Sequence, residues 1–370
     1  MAHKKQVIAL TTVLLMALMG LTPACKKHDA ANTNSTARTY RMGFATSAPE
    51  PNINEIIQSL SLWPSHADAA IISTEVPWDS LLNGEDAATY VTNNYVYVTS
   101  IYRSHNLKLW VYIDPENGLA RQRDSDPLTA MGKSIAQPNI QQVYERFVVA
   151  MDSILHPDHL GLAHETNLIR LVAPDSIYQG VKQAVNTAAA RVKAIDTKTP
   201  LSVSVQAEVA WGRATTPLGG TSTYAGIAAD YTDFPFIQEL GISSYPYLSY
   251  TNPGDIPLNY YAQLTTGHST PVFVSEGGWT SANITAYNVQ SSNAQQQAYI
   301  RRQGQLLTQA KAIGLFQLTY TDLSLGAWPT IDSTELIPFA YLGMVDSNFI
   351  AKPVLTTWDS LRNQTLQAGY

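Results

Sequence analysis

Short apolar runs alternate along the chain with longer segments whose apolar residues recur every three or four positions, which predicts strands separated by helices. Eight strands are expected, at 40–45, 69–73, 107–113, 159–163, 201–205, 240–244, 271–275 and 315–320. The run Val272, Phe273, Val274 is the plainest: it is too short for a helix, and Gly277 and Gly278 end it, as in a parallel strand buried on both faces. Two helices stand out, at 140–155 and 176–195. In the first, Val143, Phe147, Val148 and Met151 form one stripe toward a sheet, and the second follows the helix-starting Pro174-Asp175-Ser176. Eight strands alternating with helices over about 320 residues predict one α/β domain, a (β/α)8 TIM barrel. The rival is a doubly wound open sheet. It would want a glycine-rich phosphate loop after its first strand, where this chain has Met42-Gly-Phe-Ala-Thr-Ser-Ala-Pro49.

The N-terminus breaks the alternation. Lys4 and Lys5 precede an apolar run at 7–21, and small residues lead to Cys25, so 1–24 reads as a secretory signal. Leu21-Thr-Pro-Ala-Cys25 resembles the lipobox of bacterial lipoproteins, although its leucine sits one place early and Pro23 is unusual. That resemblance implies export, lipidation of Cys25 and anchoring to a bacterial membrane, at the periplasmic or surface face of the outer membrane; a plain signal peptide is the alternative. Residues 25–39 are polar and without apolar periodicity, a flexible tether, and the barrel is expected over 40–370. Cys25 is the only cysteine, so the folded part has no disulfide.

The chain has 370 residues, 45% hydrophobic and 14% charged, with a net charge of −6 and no basic stripe. This excludes the usual footprint of nucleic-acid binding and points to a neutral polymer or a small ligand. Oligomeric state is not legible.

A barrel of this kind works at the C-terminal ends of its strands. There the chain places Glu75, Asp114, Glu165, Glu208, Tyr245, Glu276 and Asp322. Trp78, Trp211, Trp279 and Trp328 follow strands two, five, seven and eight, where indoles could stack on sugar faces along a groove. Trp63 and Trp358 fall in helical segments and are expected in the core, and Trp110 shares side-chain parity with Asp114 and so points into the barrel. The histidines are scattered: His156, His159 and His164 lack metal-ligand spacing, no Gly-x-Ser-x-Gly elbow occurs, and neither a metal nor another cofactor is expected.

The segment His159-Leu-Gly-Leu-Ala-His-Glu-Thr-Asn167 and the segment Val274-Ser-Glu-Gly-Gly-Trp279 set glutamates at the ends of strands four and seven. The chain thereby resembles the clan A glycoside hydrolases, most of all the endo-β-1,4-galactanases, to which Gly241-Ile-Ser-Ser-Tyr-Pro-Tyr247 and the closing segment from Tyr341 to Trp358 are also similar. The resemblance implies a retaining O-glycosyl hydrolase acting on a β-linked plant-type polysaccharide or its oligosaccharides. Glu276 would be the nucleophile, Glu165 the acid/base, and Tyr245 the partner of the nucleophile. His164, Asn167, Asp114, Asp322 and the four rim tryptophans are the further candidates for substrate contact. The pattern departs at two places. His164 stands where an asparagine usually precedes the acid/base, and Ile71-Ile-Ser-Thr-Glu-Val-Pro-Trp78 lacks the arginine expected on strand two. These departures support the alternative, a surface glycan-binding barrel without turnover.

Overall fold

A computed structural model of the chain describes residues 37–213, 223–328 and 333–370. The expected signal segment, Cys25 and most of the tether lie outside the described residues. Eight parallel strands close into a barrel in sequence order: β1 Arg41–Ala45, β2 Ala69–Glu75, β3 Lys108–Asp114, β4 His159–Gly161, β5 Leu201–Gln206, β6 Glu239–Ser244, β7 Val272–Gly277 and β8 Gly314–Gln317. Each expected strand is present, and the expected TIM barrel with it. The two expected helices run over Pro138–Leu155 and Asp175–Ile195. Val143, Phe147, Val148 and Met151 are all buried on the first of them. Burying such side chains contributes on the order of 1.5–3 kcal/mol each.

The barrel interior is filled unevenly, and that unevenness makes room for a site. Ile71 on β2, Trp110 and Tyr112 on β3, Phe273 on β7 and Phe316 on β8 form one interior cluster. Trp110 lies flat on His159, with ring centroids 3.7 Å apart. Tyr112 reaches so far across that a Cβ on Gly161 of β4 would come within 2.1 Å of its ring, and one on Gly241 of β6 within 2.5 Å of its hydroxyl. Those two positions accept only glycine. Above this layer, β5 and β6 bring the small polar residues Ser204 and Ser243 to the mouth. Trp63 and Trp358 are fully buried outside the barrel, as expected.

At the C-terminal end, Asp322 is held in a buried ion pair. Lys352 Nζ donates to its two oxygens at 2.8 and 3.1 Å, and the Gly343 N–H donates to Oδ1 at 2.9 Å. The carboxylate ties the segment after β8 to the start of the last helix, Pro353–Arg362. Asp322, one of the expected groove residues, is thus engaged by lysine and backbone.

Candidate active site

Glu276 owes its position to an irregularity in β7. Strand residues alternate between faces, so with Phe273 inside the barrel Ser275 would follow inside and Glu276 would point outward. The β6–β7 register shifts, however: Ile242 pairs with Val274, and Ser243 with Glu276. Ser275 is the extra residue of a bulge, and the bulge turns Glu276 to the face that Ser243 occupies. Gly277 and Gly278 follow because the chain passes very close to its neighbours. A Cβ on the first would lie 2.3 Å from the Ser244 carbonyl, and one on the second 2.4 Å from the Gln317 amide.

Glu165 reaches the mouth by a sharper turn. It adopts a left-handed backbone, φ 50° and ψ 44°, at the entry to the helix Thr166–Val172, whose Leu168 and Ile169 N–H groups donate to its carbonyl. That conformation costs a non-glycine residue about 1–2 kcal/mol. The Glu165 N–H donates to Ser204 Oγ at 2.9 Å, which holds the turn in place.

The two carboxyls face each other across one hydroxyl. Ser243 Oγ lies 2.6 Å from Glu165 Oε1 and 2.9 Å from Glu276 Oε1, so these two oxygens can be no more than about 5.5 Å apart. The other oxygen of Glu165 accepts from Arg121 Nε at 2.9 Å, and Arg121 Nη1 donates to Asp114 at 2.5 Å. Arg121 comes from the loop after β3 and is 6% exposed. It places a cation beside the pair although β2 has none. Burial works against its charge, yet Asp114 and Glu165 outweigh burial and hold the guanidinium above its ordinary range. Burial raises Asp114 against the pull of Arg121. Burial, and then the charge of Glu165, push Glu276 up to about 7.

His164 is buried beside Tyr112, with ring centroids 4.4 Å apart. Its Nε2 is 2.9 Å from Ser73 Oγ and its Nδ1 3.4 Å from Ser204 Oγ. The neutral ring has one N–H, so it donates to one of these two hydroxyls and accepts from the other. Burial, and then Arg121, hold this imidazole down to about 3, so it is neutral and its 3.9 Å approach to Glu276 is not an ion pair. Tyr245 is buried against Phe339, and burial together with the charges of Glu276 and Glu165 keeps its phenol well above its ordinary value.

The mouth thus brings together Asp114, His164, Glu165, Tyr245 and Glu276. Other candidates are elsewhere. Asn167 spends its amide on β5, donating to the Gln206 carbonyl at 2.9 Å and accepting the Gln206 N–H at 2.8 Å. Trp78 is fully buried, and Trp279 is buried with its ring against Tyr299 and its Nε1 on Ser291. Neither indole has a free face, because helices and loops cover these strand ends. Trp211 is half-buried and stacked on Tyr260, and Trp328 is half-buried with its Nε1 on the Pro49 carbonyl. Those two keep exposed area. Glu208 is buried too, accepting from the Tyr245 N–H at 3.1 Å and the Tyr260 hydroxyl at 2.9 Å, so it fixes the start of the tyrosine loop.

Sequence reading passed over Arg121, Ser204 and Ser243. A signal for the serines was present: Leu201-Ser-Val-Ser-Val and Leu240-Gly-Ile-Ser-Ser alternate small polar with apolar residues in strands buried on both faces. Nothing local marked Arg121.

Beside Arg121 stands an anomaly. Glu116 is fully buried, and neither carboxyl oxygen has a hydrogen-bond partner among the described residues. Among those residues no three His, Cys, Asp or Glu side chains are placed to hold a metal ion. Burial, and then the charges of Asp124 and Asp114, raise its carboxyl well above the ordinary value. A raised folded-state value means that stability is complete below the unfolded value and is lost as pH rises. Glu116→Gln keeps the shape of the protonated acid without that loss. It is expected to raise unfolding free energy by about 1–3 kcal/mol at pH 8 and to change it little at pH 4, read by urea denaturation; an equal change at both would contradict the assignment.

No protein-family model matches the chain, and no curated protein matches it. Solved structures do. The exo-β-1,4-mannosidase from Opitutaceae bacterium strain TAV5 superposes with a TM-score of 0.65 at 14% identity, over 89% of this chain and 60% of its own. The β-glucuronidase of Ruminococcus gnavus gives 0.57 at 10% identity, over 89% and 50%, and that of Bacteroides uniformis 0.54 at 15%, over 87% and 35%. The chain shares its barrel fold with these β-glycosidases. It spans three-fifths or less of their lengths.

Proposed function

We propose that the protein is a retaining glycoside hydrolase that cleaves β-linked plant-type polysaccharide or its oligosaccharides, of galactanase-like specificity. The observation that carries the reading is the Glu165 and Glu276 pair, set at the ends of β4 and β7 within the reach of a single hydroxyl. Glu276 attacks the anomeric carbon while Glu165 protonates the leaving oxygen, and water, giving its proton to Glu165 as base, then attacks that carbon and releases Glu276 from the covalent intermediate. Neutral His164 and Tyr245 flank the carboxyls as hydrogen-bonding groups for the sugar and the nucleophile. Trp211 and Trp328 offer the stacking surfaces. The fold shared with a mannosidase and with glucuronidases agrees with β-glycoside chemistry. Lipidation of Cys25 belongs to the same reading of an exported enzyme, and the mass of the N-terminal peptide from a membrane fraction tests it.

One observation favours a second reading, a glycan-binding barrel without turnover: the cation Arg121 donates to Glu165 at 2.9 Å, an arrangement that suits a carboxylate acceptor, whereas a general acid must carry a proton. Incubation with a panel of galactans, mannans, xylans and glucans separates the two. New reducing ends are expected on at least one β-linked polymer. Retention on an immobilised polymer with no new reducing ends would establish the binding barrel instead.

A further inference from the structure

The contacts of Ser243 count the protons in the site. Its Oγ sits at hydrogen-bonding distance from both carboxyls, yet a hydroxyl has one hydrogen and donates to one acceptor at a time. Two oxygens this close with no hydrogen between them would face each other with lone pairs. The second carboxyl must therefore bring its own proton, and the array is a carboxylic acid donating to a hydroxyl that donates to a carboxylate. Arg121 decides the direction. Its guanidinium lies on Glu165, so Glu165 is the carboxylate end and Glu276 the acid end. The distances agree, since the shorter contact, 2.6 Å, falls on the charged acceptor.

We propose that Ser243 is a positioning residue that passes one proton between the two carboxyls and so arms them for opposite roles. The O–H bond of Glu276 breaks as an O–H bond to Ser243 Oγ forms, while the original Ser243 O–H bond breaks and one to Glu165 Oε1 forms. The number of protons and the net charge are unchanged. Afterwards Glu276 is a free carboxylate able to attack, and Glu165 is an acid able to protonate a leaving group. The transfer rests on the two-glutamate reading above and supplies what that reading lacks, a proton on Glu165.

The surroundings suit a short relay. Ser243 is fully buried on β6, so no bulk water replaces its hydrogen bonds. The groups facing the pair are Tyr112, Asp114 and Arg121 from β3 and its loop, with Glu116 behind Arg121, His164 from β4, and Tyr245 after β6. Tyr112 and Tyr245 are held above their ordinary values by burial, and His164 is held neutral, so none of these three competes for the proton near pH 7.

Carbon-13 NMR of the resting protein, labelled at the glutamate side-chain carboxyl and assigned through Glu165→Gln and Glu276→Gln, tests this. As pH crosses the step in which Glu276 titrates, the Glu165 resonance is expected to move with it, by at least roughly a tenth of a full protonation shift. In Ser243→Ala the Glu276 resonance is expected to move alone. A wild-type Glu165 signal that stays fixed through the step overturns the proposal, as does one that moves equally in Ser243→Ala. The wild-type spectra decide even if the variant fails to fold. Because no substrate is turned over, the relay can be refuted in an active glycosidase, or upheld in a barrel that cleaves nothing.

Discussion

Glu276→Ala is expected to lower turnover of an aryl β-glycoside by on the order of 10⁴–10⁶-fold, and azide is expected to restore part of it as a glycosyl azide of inverted configuration. Without the carboxylate no covalent intermediate forms, so azide enters from the vacated face and inverts the centre once. Glu165→Ala is expected to cost about 10²–10⁴-fold, with azide giving the azide of retained configuration, because the covalent intermediate still forms and azide needs no general base. The opposite stereochemistry separates the roles where rate alone would not. An inverted first-formed sugar from the wild-type protein, read by proton NMR, would remove the two-step mechanism. So would near-normal turnover by either variant.

The shared proton also predicts the shape of the pH profile. The pair works with one proton between them, and Glu276, raised to about 7, loses it on the alkaline side. Activity is therefore expected to fall above about pH 7, close to tenfold for each further unit.

Arg121→Met is expected to do the largest damage to folding. Arg121 is the shared partner of two buried carboxylates, Asp114 and Glu165. Removing one partner of a buried ion pair costs about 3–5 kcal/mol, since the charges left behind are neither solvated nor paired. The loss is expected at pH 8 and should shrink toward pH 4. The sign follows from the carboxyls: without the cation two buried carboxylates are left unpaired, which favours their neutral forms, so the variant folds well where they are protonated and loses stability as they ionise. Activity should fall with it, and the alkaline limb of any residual activity should move to higher pH, because the pair then holds its proton more tightly. Urea unfolding at the two pH values checks the first expectation. A deficit that is the same at both, or none at either, would show that Arg121 does not carry the charge balance of the site.

What was legible in the sequence is what local pattern controls. A strand buried on both faces must be apolar along its length, and a helix lying on it must be apolar on one side, so the eight strands and the two long helices could be located to within about three residues at their ends. The glutamates at the ends of β4 and β7 were visible for the same reason, since a carboxylate at the end of a buried run stands out. Only the tertiary structure decided which side chains these glutamates face. Arg121 meets Glu165 across 44 residues, a contact that no local periodicity encodes. The bulge at Ser275 reversed the parity that simple alternation assigns to Glu276, because register belongs to a pair of strands and not to one. The tryptophans make the same point. Trp78 and Trp279 follow strands as Trp211 does, yet the first two are buried and Trp211 is left partly open, because burial depends on what covers a surface.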